Sequence, residues 1–187
     1  MQGRQNLKAL AHQNVVAICD VDDSRAGKLC GQIEQLTGTR PEHVVDYRRL
    51  LERKDVDALA VATPDHWHAN QIVDAAVAGK DIYCEKPLTL TIEEGRQIIS
   101  VLDKTKRVFQ VGTQQRTEMG RRFLKAIALV HDGRIGKVQK VTCDIGGAPR
   151  GGPFKPAAVP EGLNWDLWLG PTQDRKFSPA YHPFKWR

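Results

Sequence analysis

The sequence predicts a doubly wound α/β domain with a mostly parallel sheet, followed by the beginning of a second, α+β domain. Three observations predict it. The hydrophobic period switches repeatedly between strand-like runs and helical spacing. The strand-like segments are continuous apolar runs, as expected of strands covered on both faces. The connections between elements are short, so successive strands are joined by right-handed crossovers whose helices cover the sheet.

The elements follow in order. Met1 to His12 carries a short apolar stripe, Leu7, Leu10 and Ala11, and reads as the tail of a helix. Val15–Cys19 is a buried strand. Asp22 or Asp23 offers an N-cap, Ala26, Leu29, Ile33 and Leu36 follow at helical spacing, and Gly38 supplies the stop. Val44–Val45 is a short strand and Tyr47–Arg53 a short helix. Ala58–Ala62 is a second buried strand, ending at Thr63-Pro64. Asn70–Ala78 is a helix closed by Gly79, and Asp81–Cys84 a third strand. Thr91 and Glu94 form a capping box for a helix whose stripe is Ile92, Ile98, Ile99 and Leu102. Val108–Val111 is a further strand, Glu118–His131 a helix ended by Gly133, and Val138–Ile145 a longer strand. Gly146–Gly162 is loop, rich in Gly, Pro and Ala. Leu163–Arg187 is aromatic without clear periodicity. Residues 1–115 form the expected first domain and 116–187 the beginning of the second.

Composition narrows the function. The 187 residues carry 28 Lys+Arg against 22 Asp+Glu, a formal +6, but the basic residues are scattered rather than gathered into a nucleic-acid footprint. No apolar stretch reaches the roughly 18 residues of a membrane span. Met1 to Gln13 has no apolar core of a signal peptide; a cytoplasmic setting is the expectation, with an export signal further upstream left open. Cys19, Cys30, Cys84 and Cys143 are far apart, three of them in apolar strand-like runs, and read as buried thiols in a reducing compartment.

In an open parallel sheet, ligands bind beyond the carboxyl ends of the strands. The first strand ends in Asp20. A carboxylate there accepts from both hydroxyls of an adenosine ribose and repels a 2′-phosphate, favouring NAD over NADP; it can equally cap the next helix, and Arg25 nearby could accommodate a phosphate. The second strand ends in Thr63-Pro64-Asp65-His66-Trp67-His68. Thr63 can donate to a phosphate or ribose and Pro64 stiffens the turn. His66 and His68 invite a metal reading, but no carboxylate or cysteine pair is near in sequence to complete a site, and a turn with a packing Trp competes with it. The third strand ends in Glu85-Lys86-Pro87.

Thr63-Pro64 with His68, Gly79-Lys80 and Glu85-Lys86-Pro87-Leu88 together resemble the Gfo/Idh/MocA oxidoreductases. Gly112-Thr113-Gln114-Gln115-Arg116, Gly133-Arg134-Ile135-Gly136, Trp165-Asp166-Leu167-Trp168-Leu169-Gly170-Pro171 and Tyr181-His182-Pro183-Phe184-Lys185-Trp186-Arg187 continue the resemblance over nearly the whole chain. It implies a Rossmann-type dinucleotide-binding domain and hydride transfer between a nicotinamide cofactor and a sugar- or inositol-like alcohol or carbonyl. NAD is the expected cofactor and NADP the less expected one. Lys86 is the implied catalytic residue, stabilising alkoxide charge in a dry cleft, with a pKa lowered by burial. Asp20, Thr63, Pro64, His68, Glu85, Lys86, Pro87 and Gln114 are the implied cofactor contacts. Glu85 orients Lys86 or the cofactor, and Pro87 fixes the backbone, through a cis bond if one forms. A homo-oligomer is implied for the parent enzyme; no metal, nucleic-acid or membrane partner is.

The chain departs from the family pattern in two places. It has no Gly-x-Gly-x-x-Gly turn after a first strand, and no Asp and His one helical turn apart in the second domain. The expectation is therefore a fragment, lacking the first strand and most of the second domain. Without that strand, the Val15 and Ala58 strands must pair directly, or leave backbone groups unsatisfied at about 1–3 kcal/mol each. Against a total stability of about 5–15 kcal/mol, that makes the chain marginal alone. The alternatives are an inactive nucleotide- or sugar-binding remnant, and a relative that uses NAD to cleave glycosides.

Overall fold

A computed structural model of the chain describes Asn6, Leu10 and residues 12–116, 119–144 and 152–181. Its strands are the parallel runs the apolar pattern marks. β1 (Ala17–Cys19) pairs with β2 (Glu42–Val44), with Ala17 opposite Glu42. β3 (Ala58–Val61) pairs with β4 (Asp81–Glu85), and β4 with β5 (Phe109–Gly112), all in parallel. The two sheets are separate, in the orders β1-β2 and β3-β4-β5. Of the two outcomes expected for a sheet without its first strand, direct pairing of β1 with β3 is not the one observed.

Helices fill the crossovers. α1 (Asp23–Thr37) is capped by Asp22, whose side chain accepts from the backbone of Ser24 and Arg25; it buries Ala26, Cys30 and Ile33, while Leu36 is exposed. α2 is the single turn Arg48–Leu51. α3 (Asp65–Val77) starts five residues before the expected Asn70, immediately after Pro64. A proline just ahead of a helix has no amide to leave unsatisfied, so the turn passes directly into helix. α4 (Ile92–Thr105) has the expected Thr91–Glu94 capping box. Its stripe is narrower than expected: Ile98 is buried and Leu102 packs at the edge of the core, but Ile92 and Ile99 face outward. The main core lies between α3, α4 and the three-stranded sheet, built from Val61, Ile72, Ala75, Ile82, Cys84 and Ile98.

The chain divides into two units, Met1–Gly112 with Pro156–Pro179, and Thr113–Lys155 with Ala180–Arg187. The division falls close to the expected 115/116 boundary, but residues 156–179 belong to the first unit. Within them α6 (Trp165–Leu169), capped by Asn164, supplies structure where no periodicity was legible. A stretch of five residues is too short to show a helical period. Trp165 stacks on Trp168 at 4.6 Å, Phe177 meets Trp165 edge-on, and Leu163 and Leu169 are buried beside them.

In the second unit, the expected helix at 118–131 is shortened. Glu118 lies outside the described residues, Met119–Arg121 is a 3-10 turn with Gly120 at φ 75°, and α5 spans Arg122–His131. The expected strand at 138–145 does not form over its described part, 138–144. A strand needs a neighbour to take its hydrogen bonds, and no other strand is found among the described residues of this unit. Cys143, expected to be buried in that strand, is exposed. Cys30 and Cys84 are buried and Cys19 partly so.

Candidate dinucleotide site

Three of the expected site segments lie at the carboxyl ends of parallel strands of the first unit. Asp20 follows β1. Its Oδ1 accepts from the Asp22 amide at 3.1 Å, and its Oδ2 lies 3.8 Å from Arg25 Nε. Its backbone carbonyl accepts from His43 Nε2 at 3.0 Å. The carboxylate is half-buried and acts on its surroundings: burial first, and then the charge of Asp20, push the neighbouring Cys19 thiol up to about 12. Capping of α1 falls to Asp22, which leaves that alternative role for Asp20 unused.

A cavity of about 320 Å³ opens beside this strand end, lined by Val21, Asp23, Val45, Gly162, Leu163 and Asn164. Half of its wall comes from the returning 156–179 segment. That segment is tied down by Asp23 N–H donating to Gly162 O at 2.9 Å and Asn164 N–H donating to Val21 O at 2.9 Å. The signals that could have found it are the Asn164 cap and the apolar Trp165-x-x-Trp168-Leu169 group behind it.

Thr63 and Pro64 follow β3. The Thr63 hydroxyl donates to Gln71 Oε1 at 2.8 Å, and Pro64 opens α3. The three residues after Asp65 go inward. His66 Nε2 donates to Trp168 O at 2.9 Å and Trp67 Nε1 to Leu167 O at 2.9 Å, so this turn grips α6. Burial is the main cause holding the His66 pKa below its ordinary value. His68, 1% exposed, places Nδ1 2.7 Å from Pro87 O and Nε2 3.0 Å from Thr63 O. The His66 Nε2 and both His68 nitrogens therefore point at carbonyls. No group of three or more metal-ligating side chains is found among the described residues. Both ring nitrogens of His68 thus lie within hydrogen-bonding distance of backbone carbonyls at the ends of β3 and β4.

Glu85, Lys86 and Pro87 end β4. Glu85 is 3% exposed, and its Oε1 accepts from Asn6 Nδ2 at 2.7 Å and from Tyr83 Oη at 3.3 Å. Asn6 and Tyr83 were not singled out in the sequence. Tyr83 was findable, since residues two apart on a strand share a face; Asn6, 79 residues away, was not. Asn6 and Leu10 are helical, as the apolar stripe of Met1 to His12 suggests. The Lys86–Pro87 bond is cis. Lys86 is exposed, so the expected desolvation of its ammonium does not come from the described residues alone. Gln114 opens the 3-10 turn Gln114–Arg116 of the second unit.

Within the first unit, one parallel sheet thus presents an acid at a strand end and the other presents a lysine. The model of the oxidoreductase family with an NAD-binding Rossmann fold matches residues 1–113. The chain belongs to that family, the Gfo/Idh/MocA oxidoreductases. Inositol 2-dehydrogenase of Rhizobium meliloti (strain 1021) is 40% identical over 143 residues, which are 75% of this chain and 41% of that protein. Alpha-N-acetylgalactosaminidase of Shewanella oneidensis is 30% identical over 126 residues, 65% of this chain and 27% of that protein. Among solved structures, scyllo-inositol dehydrogenase from Lactobacillus casei, with bound NAD(H) and scyllo-inositol, superposes with a TM-score of 0.59 at 26% identity, covering 72% of this chain and 39% of that one. This Gfo/Idh/MocA chain thus spans well under half the length of the relatives it matches. Among its described residues, no helix is long and apolar enough to cross a membrane.

Proposed function

We propose that this chain supplies the dinucleotide site and the active lysine of an NAD-dependent dehydrogenase acting on an inositol- or sugar-like alcohol. The observation that supports it most is that Asp20, Thr63 and Glu85-Lys86-Pro87 each follow the carboxyl end of a strand in one of two parallel sheets of a single unit. These residues suit the group. A half-buried carboxylate beside an open cavity fits a ribose and its base, and a lysine on a buried glutamate's strand fits the nicotinamide end. Bound NAD supplies the hydride acceptor or donor.

The chain's own residues divide the remaining work. Asp20 accepts from the ribose hydroxyls and repels a 2′-phosphate, which favours NAD; Arg25, 3.8 Å away, only partly offsets that charge. Lys86 stabilises negative charge on the substrate oxygen once substrate and cofactor have excluded water from it. Glu85, held by Asn6 and Tyr83, anchors the strand end that carries Lys86. Thr63, Pro64 and Pro87 shape the backbone beside the cofactor.

Calorimetry of NAD binding to the full chain tests this. Asp20→Ala is expected to weaken NAD binding about tenfold, which is about 1.4 kcal/mol, and to narrow the preference over NADP. Lys86→Ala should keep NAD affinity within a few-fold and abolish turnover. A folded chain without saturable NAD binding overturns the proposal. The glycosidase relative motivates a second reading, cleavage of a glycoside with no net change in NAD. Sustained NADH formation from inositols or free sugars supports the first reading; release of a sugar without NADH supports the second.

A further inference from the structure

Among the described residues, the two sheets of the first unit are not paired to each other, yet the proposed site draws on both. Asp20 follows β1 in one sheet and Thr63 follows β3 in the other. One dinucleotide can meet both side chains only if the two strand ends keep a fixed spacing. A shared ladder would fix it; here another part of the chain must.

Residues 162–170 run between those strand ends. At one end, residues 162–164 pair antiparallel with residues 21–23, directly after Asp20, in a bridge centred on Asp22 and Leu163. Asp23 N–H donates to Gly162 O and Asn164 N–H to Val21 O, each at 2.9 Å. Gly162 has φ 77°, and a Cβ there would lie 3.3 Å from the Asp23 side chain, so the approach is close. At the other end, α6 is gripped by the first turn of α3, directly after Thr63-Pro64. His66 Nε2 donates to Trp168 O and Trp67 Nε1 to Leu167 O, each at 2.9 Å. Between the two ends lies only α6 itself, a rod of five residues, about 7 Å long. It is backed by its own segment: Trp165 stacks on Trp168, Trp165 Nε1 donates to Arg175 O at 2.8 Å, and Ala157 N–H donates to Phe177 O at 2.9 Å. Tyr47, which follows β2, meets Trp67 edge-on at 5.5 Å and so reaches the same turn of α3.

We infer that residues 162–170 are a positioning strap, which sets the spacing between the Asp20 and Thr63 strand ends and through Asp20 governs the preference for NAD over NADP. The strap stands on the hydrogen bonds at its two ends; its effect on cofactor choice rests on the function proposed above.

The test compares two variants of the full chain. Asn164 has φ −82°, close to what proline adopts, so Asn164→Pro deletes the N–H that donates to Val21 O without forcing φ. Asn164→Ala keeps that N–H and loses only the side-chain cap of α6, so the difference between the two isolates the bridge. Calorimetry with NAD and with NADP gives the ratio of the two Kd values. Partial unfolding weakens both cofactors by the same factor and leaves that ratio unchanged; a displaced Asp20 does not. In Asn164→Pro the Kd for NAD should rise about tenfold and the NADP-to-NAD ratio should fall at least about threefold, while in Asn164→Ala the ratio should stay within about twofold of the unsubstituted chain. Equal weakening of both cofactors in Asn164→Pro overturns the effect on cofactor choice. Trp67→Phe frees the far end by removing the indole N–H, and the same outcomes decide if Asn164→Pro does not fold.

Spacing is read directly by electron-spin distance measurement between nitroxides on Lys28→Cys in α1 and Asn70→Cys in α3, both exposed positions, with Cys19→Ser and Cys143→Ser removing the accessible native thiols. The distance distribution should broaden or shift in Asn164→Pro and stay narrow in Asn164→Ala. An unchanged distribution in Asn164→Pro overturns the strap. If the unsubstituted chain binds neither cofactor, or Asp20→Ala leaves the ratio unchanged, the function proposed for Asp20 fails and the distance measurement alone decides the strap.

Discussion

Gly112 shows how closely the end of β4 is packed. A Cβ added there would lie 2.5 Å from Tyr83 Oη and 3.1 Å from Glu85 Oε1. The glycine is thus required by a close approach, not by a turn. Gly112→Ala forces Tyr83 aside, and Tyr83 cannot move without disturbing the Glu85 carboxylate it donates to. Overpacking of this kind costs about 1–3 kcal/mol. Urea unfolding of Gly112→Ala should show a loss in that range, and a loss below about 0.5 kcal/mol would mean that the tyrosine swings away freely. At this scale the sequence was informative about position where a motif coincides with a strand end, as with Asp20 after β1 and Lys86 after β4. It was silent where a contact depends on long-range folding. Nothing local says that Asn6 meets Glu85, that Gln71 meets the Thr63 hydroxyl, or that His68 spans two carbonyls.

Among the elements, the docking of α6 on the first turn of α3 is the least legible feature and the one with a pH dependence. Gly170, at the end of α6, lies against Trp67, where a Cβ would collide with the indole. His66 and Trp67 hold the α6 carbonyls beside it. Burial depresses the His66 pKa, so the folded state prefers the neutral ring and the unfolded state takes up a proton at higher pH. Stability from this group is therefore complete above the unfolded value, about 6.5, and is lost as pH falls below it. Thermal unfolding should give a Tm that declines from pH 7 to pH 5, and His66→Gln should flatten that decline. An equal slope in the variant would place the acid sensitivity elsewhere. Elements marked by several residues, such as α1, α4 with its capping box and the five strands, agreed with the sequence to within a few residues. The exceptions have physical causes. α6 is too short to show a period, and residues 138–144 have a strand pattern but no strand beside them.

On the scale of the molecule, the division into two sheets governs which parts are held most firmly. β4 has a partner on each side, so its amides and carbonyls are satisfied by both β3 and β5. β1 and β3 each pair on one side only, although each is an apolar run suited to burial on both. The main core of Val61, Ile72, Ala75, Ile82, Cys84 and Ile98 backs the three-stranded sheet, whereas β1 and β2 rest chiefly on α1. Amide exchange reports local opening free energy, which is highest where backbone bonds and apolar cover coincide. Ile82 to Glu85 should therefore be the slowest-exchanging segment. Ala17 to Cys19 and Glu42 to Val44 should exchange faster and together, as one cooperative piece. The edge-facing amides of Ala58 to Val61 should exchange faster than their β4-facing neighbours. A β1 protected as strongly as β4 would show that its outer edge is covered in solution, and that the two sheets act as one.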